Sequence, residues 1–173
     1  MAKILAKKFF NRPVLKVAPD LLGTYLVRKH GRKTERFLIT EVEAYDGGGD
    51  MACHASKGMT PRTAIMFGQP GFFYVYFIYG MYWMLNLVVD KDGHPAAVLI
   101  RGTREVSGPG RLTRQLNITG SFNKKEIHPK TGLWLEKGEK LEDYKMERTP
   151  RIGVAYAGPI WSKKPYRFIL VQR

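Results

Sequence analysis

The chain has 173 residues, 44% hydrophobic and 12% aromatic, enough to bury one substantial core and without the compositional break that a second domain would bring. Its 29 Lys and Arg against 15 Asp and Glu leave a net charge of +14, spread from Lys3 to Arg173, so a polyanion is the default partner and a charged surface serving solubility alone the bland alternative. The single cysteine, Cys53, excludes an internal disulfide framework and a cysteine-rich zinc site, and the basic N-terminus lacks the long apolar core and cleavage site of a secretory signal.

In chain order, a short helix is expected at Val14 to Leu22, broken by Pro19 and stopped at Gly23. Strands follow at Thr24 to Lys29 and Arg36 to Tyr45 on either side of a turn at Gly31. The second strand opens the most informative stretch, EVEAYDGGGDMACH at Glu41 to His54. Its two-residue side-chain period puts Glu43 and Tyr45 on one face, so a general base and a stacking platform share a wall. In a basic chain this points to an enzyme that holds a nucleobase on an aromatic ring and directs water at the bond joining base to backbone. Gly47-Gly48-Gly49 reads as a flexible loop, and Asp50 as the N-cap of a brief helix carrying His54.

The segment Phe72 to Val89 approaches the length of a membrane span, but Tyr74, Tyr76, Tyr79, Tyr82 and Asn86 scatter polar groups through its middle. Two buried strands joined at Tyr79-Gly80 suit it better. Tyr74, Tyr82 and Trp83 are expected to pack, whereas Tyr79 abuts the turn glycine and can project. A turn at Asp92-Gly93 precedes a buried strand at Ala96 to Arg101, and Pro109 in the GPG of Gly108 to Gly110 starts a helix that includes Arg111 and Arg114. Ser121 to Glu147 is polar and lysine-rich with few signals. RIGVAYA and YRFILV look like closing strands, and no internal repeat or low-complexity tract is present.

With LLGTYLVR, EVEAY, DMACHASKGMTPRT, MFGQPGFFYVYFIYGMYWMLN, AVLIRG, GPGRL, RIGVA and PYRF in that order, most of the chain resembles the alkyladenine-type, or mammalian-type 3-methyladenine, DNA glycosylases. Spaced blocks of this length are far more specific than a short motif. The resemblance implies an enzyme of base-excision repair that flips damaged purines out of double-stranded DNA and hydrolyses the N-glycosidic bond, leaving an abasic site, with no metal and no organic cofactor. It implies that Glu43 activates water, that Tyr45, His54 and Tyr76 form the pocket in which the flipped base is sandwiched, and that Tyr79 is the wedge filling the vacated stack. It further implies that Arg101 partners the water and Glu43, that the main-chain carbonyl of Ile152 contacts the water, and that Asn86 lines the purine pocket and disfavours guanine.

On the residues alone, a glutamate and a tyrosine two apart are often no more than an exposed strand face, a lone histidine such as His54 is more often structural, and Arg101 could be a phosphate contact or an ion-pair partner. Arg62, Arg111 and Arg114 are further candidates for the DNA backbone. The chemistry supports the roles independently: the bond breaks with oxocarbenium character on the sugar, which one carboxylate can stabilise while it orients water, and a cationic alkylated purine is drawn to tyrosine faces. The chain departs from the family pattern in having only GTREVS after Arg101 and no tail beyond PYRF and a few residues, which bears on lesion range. Two other readings are a non-catalytic nucleic-acid-binding module on the same scaffold and a glycosidase of free nucleosides or RNA. A lysine-borne lyase step is left open by the residues alone, and its absence, a monofunctional glycosylase, is what the resemblance implies.

The expected fold is α+β, one domain over residues 1–173, with a curved, mostly antiparallel sheet, short flanking helices and a protruding β-hairpin. The expected setting is intracellular and DNA-associated, as a monomer with no obligate protein partner and no membrane contact.

Overall fold

A computed structural model describes residues 3–139 and 141–173. Two helices come first, α1 (Lys7–Phe10) and α2 (Val14–Leu21). Helix α2 buries Val14, Val17, Ala18 and Leu21, an i, i+3, i+4, i+7 stripe. Pro19 does not break it, contrary to expectation: it lies in the last turn, and Leu22 N–H closes that turn on its carbonyl. Gly23 at φ +79° then turns the chain.

Strand β1 (Tyr25–His30) and the long β2 (Lys33–Asp46) follow, then the hairpin β3 (Phe73–Ile78) and β4 (Tyr82–Val88), β5 (Ala96–Thr103), α3 (Pro109–Gln115), β6 (Leu133–Glu136), β7 (Tyr144–Thr149), α4 (Gly158–Trp161) and β8 (Arg167–Gln172). The sheet order is β3-β4-β5-β2-β1-β6, with β8 bridging β2 and β7, and every pairing is antiparallel. Strand β2 is long enough to serve two neighbourhoods. Its first half pairs with β1, and its second half lies between β5 and β8. The architecture is the α+β fold expected, with a curled sheet and few short helices.

The register decides what each face carries. One rung runs Tyr74, Asn86, Leu99, Glu43, Arg167 across β3, β4, β5, β2 and β8. Residues opposite one another share a face, and so do residues two apart, so Glu43, Tyr45, Tyr74, Tyr76, Met84, Asn86, Ala97 and Leu99 stand on one side. On the other side Val42, Ala44, Phe73, Val75, Leu85, Leu87, Val98, Ile100 and Phe168 build the main core with α2 and α3. The middle of the sheet is thus covered on both faces, which is why its sequence reads as apolar runs rather than as alternation.

Four local expectations are corrected. Gly47–Gly49 is a 3-10 turn rather than an irregular loop, packed at Gly47, where a Cβ would fall 2.8 Å from the His94 ring, and exposed at Gly48 and Gly49. Asp50 caps no helix; Cys53 precedes the 3-10 turn His54–Lys57, and Asp50 is buried against Arg151. RIGVAYA is not a strand but a turn leading into the 3-10 segment Ala155–Ala157, because Gly153 at φ +74° and the ties of Arg151 and Ile152 to Asp50 and Glu43 take it out of any ladder. The stretch that carried few signals holds two strands, β6 and β7, whose pairing partners lie far along the chain in β1 and β8. No helix among the described residues is long and apolar enough to cross a membrane. Phe72 to Val89 is occupied by the β3–β4 hairpin, as expected.

Candidate active site

Glu43 has no exposed surface and lies in mid-strand with a neighbour on each side, so the ladder holds its backbone and the pleat sets the direction in which its carboxylate points. That direction is into a cleft of about 630 Å³ bordered by Tyr45, His54, Tyr76, Tyr79 and Arg101, with Gly108 to Arg111 and Ile152 to Val154 completing the rim. Glu43 Oε2 accepts from the Tyr45 hydroxyl at 2.8 Å, and Oε1 accepts from Ile152 N–H at 2.7 Å. Burial raises the carboxyl above its ordinary pKa, opposed by the Arg101 charge, the Ile152 N–H, the Tyr45 hydroxyl and Arg151.

Arg101 reaches this carboxylate through a defect in the sheet. Val42 pairs with Ile100 and Glu41 with Gly102, which leaves Arg101 as the extra residue of a β-bulge. A bulge re-aims the side chain it carries. Arg101 Nε donates to Glu41 Oε1 at 2.9 Å and stands 3.5 Å from Glu43 Oε1, while Arg167 Nε holds the same Glu41 oxygen at 2.7 Å. Of the two alternatives the sequence left for Arg101, it is an ion-pair partner, 14% exposed at the side chain.

The aromatic residues gather as the strand faces require. Tyr76 and His54 are in edge contact, with ring centroids 4.7 Å apart and planes at 67°, and Tyr74 backs Tyr76 at 5.1 Å. His54 Nδ1 lies 3.0 Å from the Tyr74 hydroxyl. Burial and the Arg62 charge lower the imidazole to a pKa of about 4, so it is neutral at physiological pH. Behind the cleft lies a smaller cavity of about 40 Å³, walled by Tyr45, His54, Tyr76 and Tyr156 on the cleft side and by Cys53, Met66 and Asn86 within. Asn86 Nδ2 donates to the Tyr74 and Met84 carbonyls at 3.2 and 3.4 Å. The structure therefore places Asn86 in the inner chamber rather than on the cleft rim. Burial raises the Cys53 thiol to about 11.

Tyr79 sits at the hairpin tip, 82% exposed, with Tyr79 and Gly80 both at positive φ (52° and 65°) as tight hairpin turns demand. Tyr82, expected merely to pack the sheet, borders the cleft and presses on α3: a Cβ on Gly110 would lie 2.4 Å from its ring. That contact explains a glycine at the second position of α3. Trp83 packs as expected, against Phe77 and Gly120. The three candidate phosphate arginines are exposed and close to these elements, Arg62 over Tyr76 at 4.8 Å, Arg114 over Tyr82 at 5.7 Å, and Arg111 on the cleft rim.

Sequence reasoning missed Glu41, Asp50, Arg151, Tyr156 and Arg167. Asp50 and Arg151 are 101 residues apart in the chain, and no local pattern joins them. Glu41 carried a signal, lying two residues before Glu43 on the same strand. Asp46, Asp90 and His94 bring ligand-type atoms within 4.8 Å of one another away from the cleft, where His94 Nε2 lies 3.1 Å from Asp46 and Val14 N–H donates to Asp90.

A buried carboxylate held by an arginine, a backbone N–H and a tyrosine, beside aromatic rings and under basic side chains, is equipped for hydrolysis at a ring-bearing substrate of an anionic polymer. The model of the methylpurine-DNA glycosylase (MPG) family matches residues 8–108 and 102–173. A protein of Methanocella arvoryzae named "Putative 3-methyladenine DNA glycosylase" is 44% identical over 185 residues, covering 95% of this chain and 91% of that protein. Proteins with the same name from Wolbachia pipientis wMel and Myxococcus xanthus are 47% and 43% identical, over 88% and 94% of this chain and 85% and 88% of their own lengths. The chain belongs to the methylpurine-DNA glycosylase family, and its class is that of the DNA glycosylases, which are hydrolases.

Proposed function

We propose that this chain excises 3-methyladenine and related damaged purines, alkylated or deaminated, from double-stranded DNA as a monofunctional glycosylase. The observation that carries the reading is Glu43, a fully buried carboxylate at the wall of an aromatic cleft with Arg101, Ile152 N–H and Tyr45 all aimed at it. Glu43 accepts a proton from water while the water oxygen bonds to C1′; the C1′–N electron pair leaves with the purine, so a cationic alkylated base departs neutral. The same anion stabilises positive charge developing on the sugar.

The damaged nucleotide is flipped into the cleft and Tyr79 takes its place in the stack. His54 and Tyr76 already touch, which leaves no layer for a base between them. The slot is the space between that pair and Tyr45. Asn86, with its Nδ2 committed to two carbonyls, stands at the inner end of the slot, where its fixed side chain crowds the exocyclic amine of guanine. Arg62, Arg111 and Arg114 contact phosphates, and one chain suffices because every group named lies within it.

The test is incubation of duplex oligonucleotides bearing one lesion each, with chromatography of the released base and alkali cleavage of the abasic strand. Release of free 3-methyladenine without borohydride-trappable adduct is expected. Retention of every base, with binding intact, would replace this reading by that of a binding module; a trapped adduct would add a lyase step.

A further inference from the structure

Arg151 is a heavily bonded charged group outside the proposed chemistry. Its side chain has no exposed surface and pairs with Asp50, also without exposed surface, through both terminal nitrogens, with Nη2 to Oδ1 at 2.8 Å. Nη1 also donates to the Ala44 carbonyl at 2.8 Å. Ala44 is the residue between Glu43 and Tyr45. The guanidinium lies 4.8 Å from the Tyr45 ring centroid and 5.2 Å from that of Tyr166, so it sits between the two rings. The next residue in the chain, Ile152, donates its N–H to Glu43. At the other end of the pair, Asp50 accepts from Asp46 N–H at 3.1 Å and from Ala52 N–H at 3.0 Å, fixing the turn that delivers His54.

Stability is a poor explanation for such a pair. Desolvating two charges offsets most of their attraction, and apolar residues of equal volume commonly serve a core as well or better. Arg151 Nε, moreover, is buried with no partner among the described residues. What the pair does that apolar side chains could not is tie the loop carrying Ile152 to two segments more than 100 residues away in the chain, the strand bearing Glu43 and Tyr45 and the turn leading to His54. A planar fork between two rings is a requirement that arginine meets and lysine does not.

We infer that the Arg151–Asp50 pair is a positioning unit: by anchoring the Ile152 loop to the Ala44 backbone and backing the Tyr45 ring, it holds Ile152 N–H on Glu43 and keeps the carboxylate aimed and ionised for attack. The inference rests on the proposed role of Glu43. The groups facing that carboxylate are Arg101 from β5, Glu41 and Tyr45 from β2, Arg167 from β8 through Glu41, Tyr76 from β3, and Arg151 and Tyr156 from the 151–157 segment.

The experiment is the single-turnover excision rate against pH, with affinity for a duplex carrying a reduced abasic analogue measured beside it. It compares wild type, Arg151→Lys, Asp50→Asn, an amide-to-ester replacement that removes only the Ile152 N–H, and Glu43→Gln. A loosened N–H raises the Glu43 pKa, so the acid limb should move to higher pH. Arg151→Lys and the ester should each lose about tenfold at the acid end, shrinking to under about threefold at the alkaline end, with abasic-duplex affinity kept. Should Arg151→Lys fail to fold by circular dichroism, Asp50→Asn, which keeps size and one acceptor oxygen, carries the same expectation. A uniform loss at every pH, or an unmoved profile in the folded variants while Glu43→Gln is inert, would overturn the positioning role alone. Undiminished release by Glu43→Gln would instead overturn the assignment of Glu43.

Discussion

Glu43 illustrates how a residue is made useful by its surroundings rather than by its type. Burial raises its pKa; Arg101, Ile152 N–H and Tyr45 pull the other way, and the balance leaves the carboxyl above its ordinary value. Replacing Arg101 by Met removes the largest opposing influence, so the acid limb of the excision profile should move up and the neutral-pH rate should fall by about 10- to 100-fold, read by single-turnover kinetics. His54 gives a prediction of opposite kind. Its folded-state pKa of about 4 lies below the ordinary 6.5, so the stability it contributes is present above pH 6.5 and is lost as pH falls towards 4. Urea unfolding of wild type and His54→Gln across that window should show the wild type losing stability more steeply; parallel curves would contradict it.

At this scale the sequence was legible where partners are neighbours. Glu43 and Tyr45 follow from a period of two, and they do share a hydrogen bond. Arg101 was nameable only through resemblance, because its aim depends on a bulge set by the register between two strands 60 residues apart. Asp50 was misread as a cap for the same reason, since Asp in a turn is an ordinary capping residue and Arg151 is invisible from there.

Among the elements, the β3–β4 hairpin was the most readable: aromatic and branched runs flank Tyr79-Gly80, and the observed turn places both at positive φ. The hairpin end is apolar and exposed, with Phe77 at 46%, Tyr79 at 82% and Met81 at 57%, a surface suited to a stack of bases rather than to water. Tyr79→Asn keeps a residue that tolerates positive φ and deletes the ring. Excision from duplex DNA should fall by at least about tenfold, excision from single strands much less, and unfolding should change by no more than about 0.5 kcal/mol. Strands β6 and β7 were not readable. All four residues of β6 are buried, yet LWLE is too short to declare a period, and β7 alternates charged and apolar residues in a stretch dominated by lysine and glutamate. The 151–157 segment misled in the other direction, because RIGVAYA has a strand's composition but spends its polar groups on Asp50 and Glu43.

For the whole molecule, charge and sheet topology act together. One face of the central strands builds the core and the other builds the cleft, so the cleft wall and the core rest on the same strands. The +14 charge supplies an attraction to DNA that carries no sequence information. Affinity for undamaged duplex should therefore fall steeply with salt, and each of Arg62→Ala, Arg111→Ala and Arg114→Ala should reduce the slope of log K against log salt by about 1 if that side chain meets a phosphate. An unchanged slope would remove that arginine from the interface.

The most direct measurement is single-turnover release of 3-methyladenine from a duplex by wild type and Glu43→Gln at equal, saturating enzyme, with binding to the same duplex followed in parallel. The account predicts release by wild type, a loss of at least about 10³-fold in Glu43→Gln, and binding retained by both. Release by Glu43→Gln at the wild-type rate would contradict it.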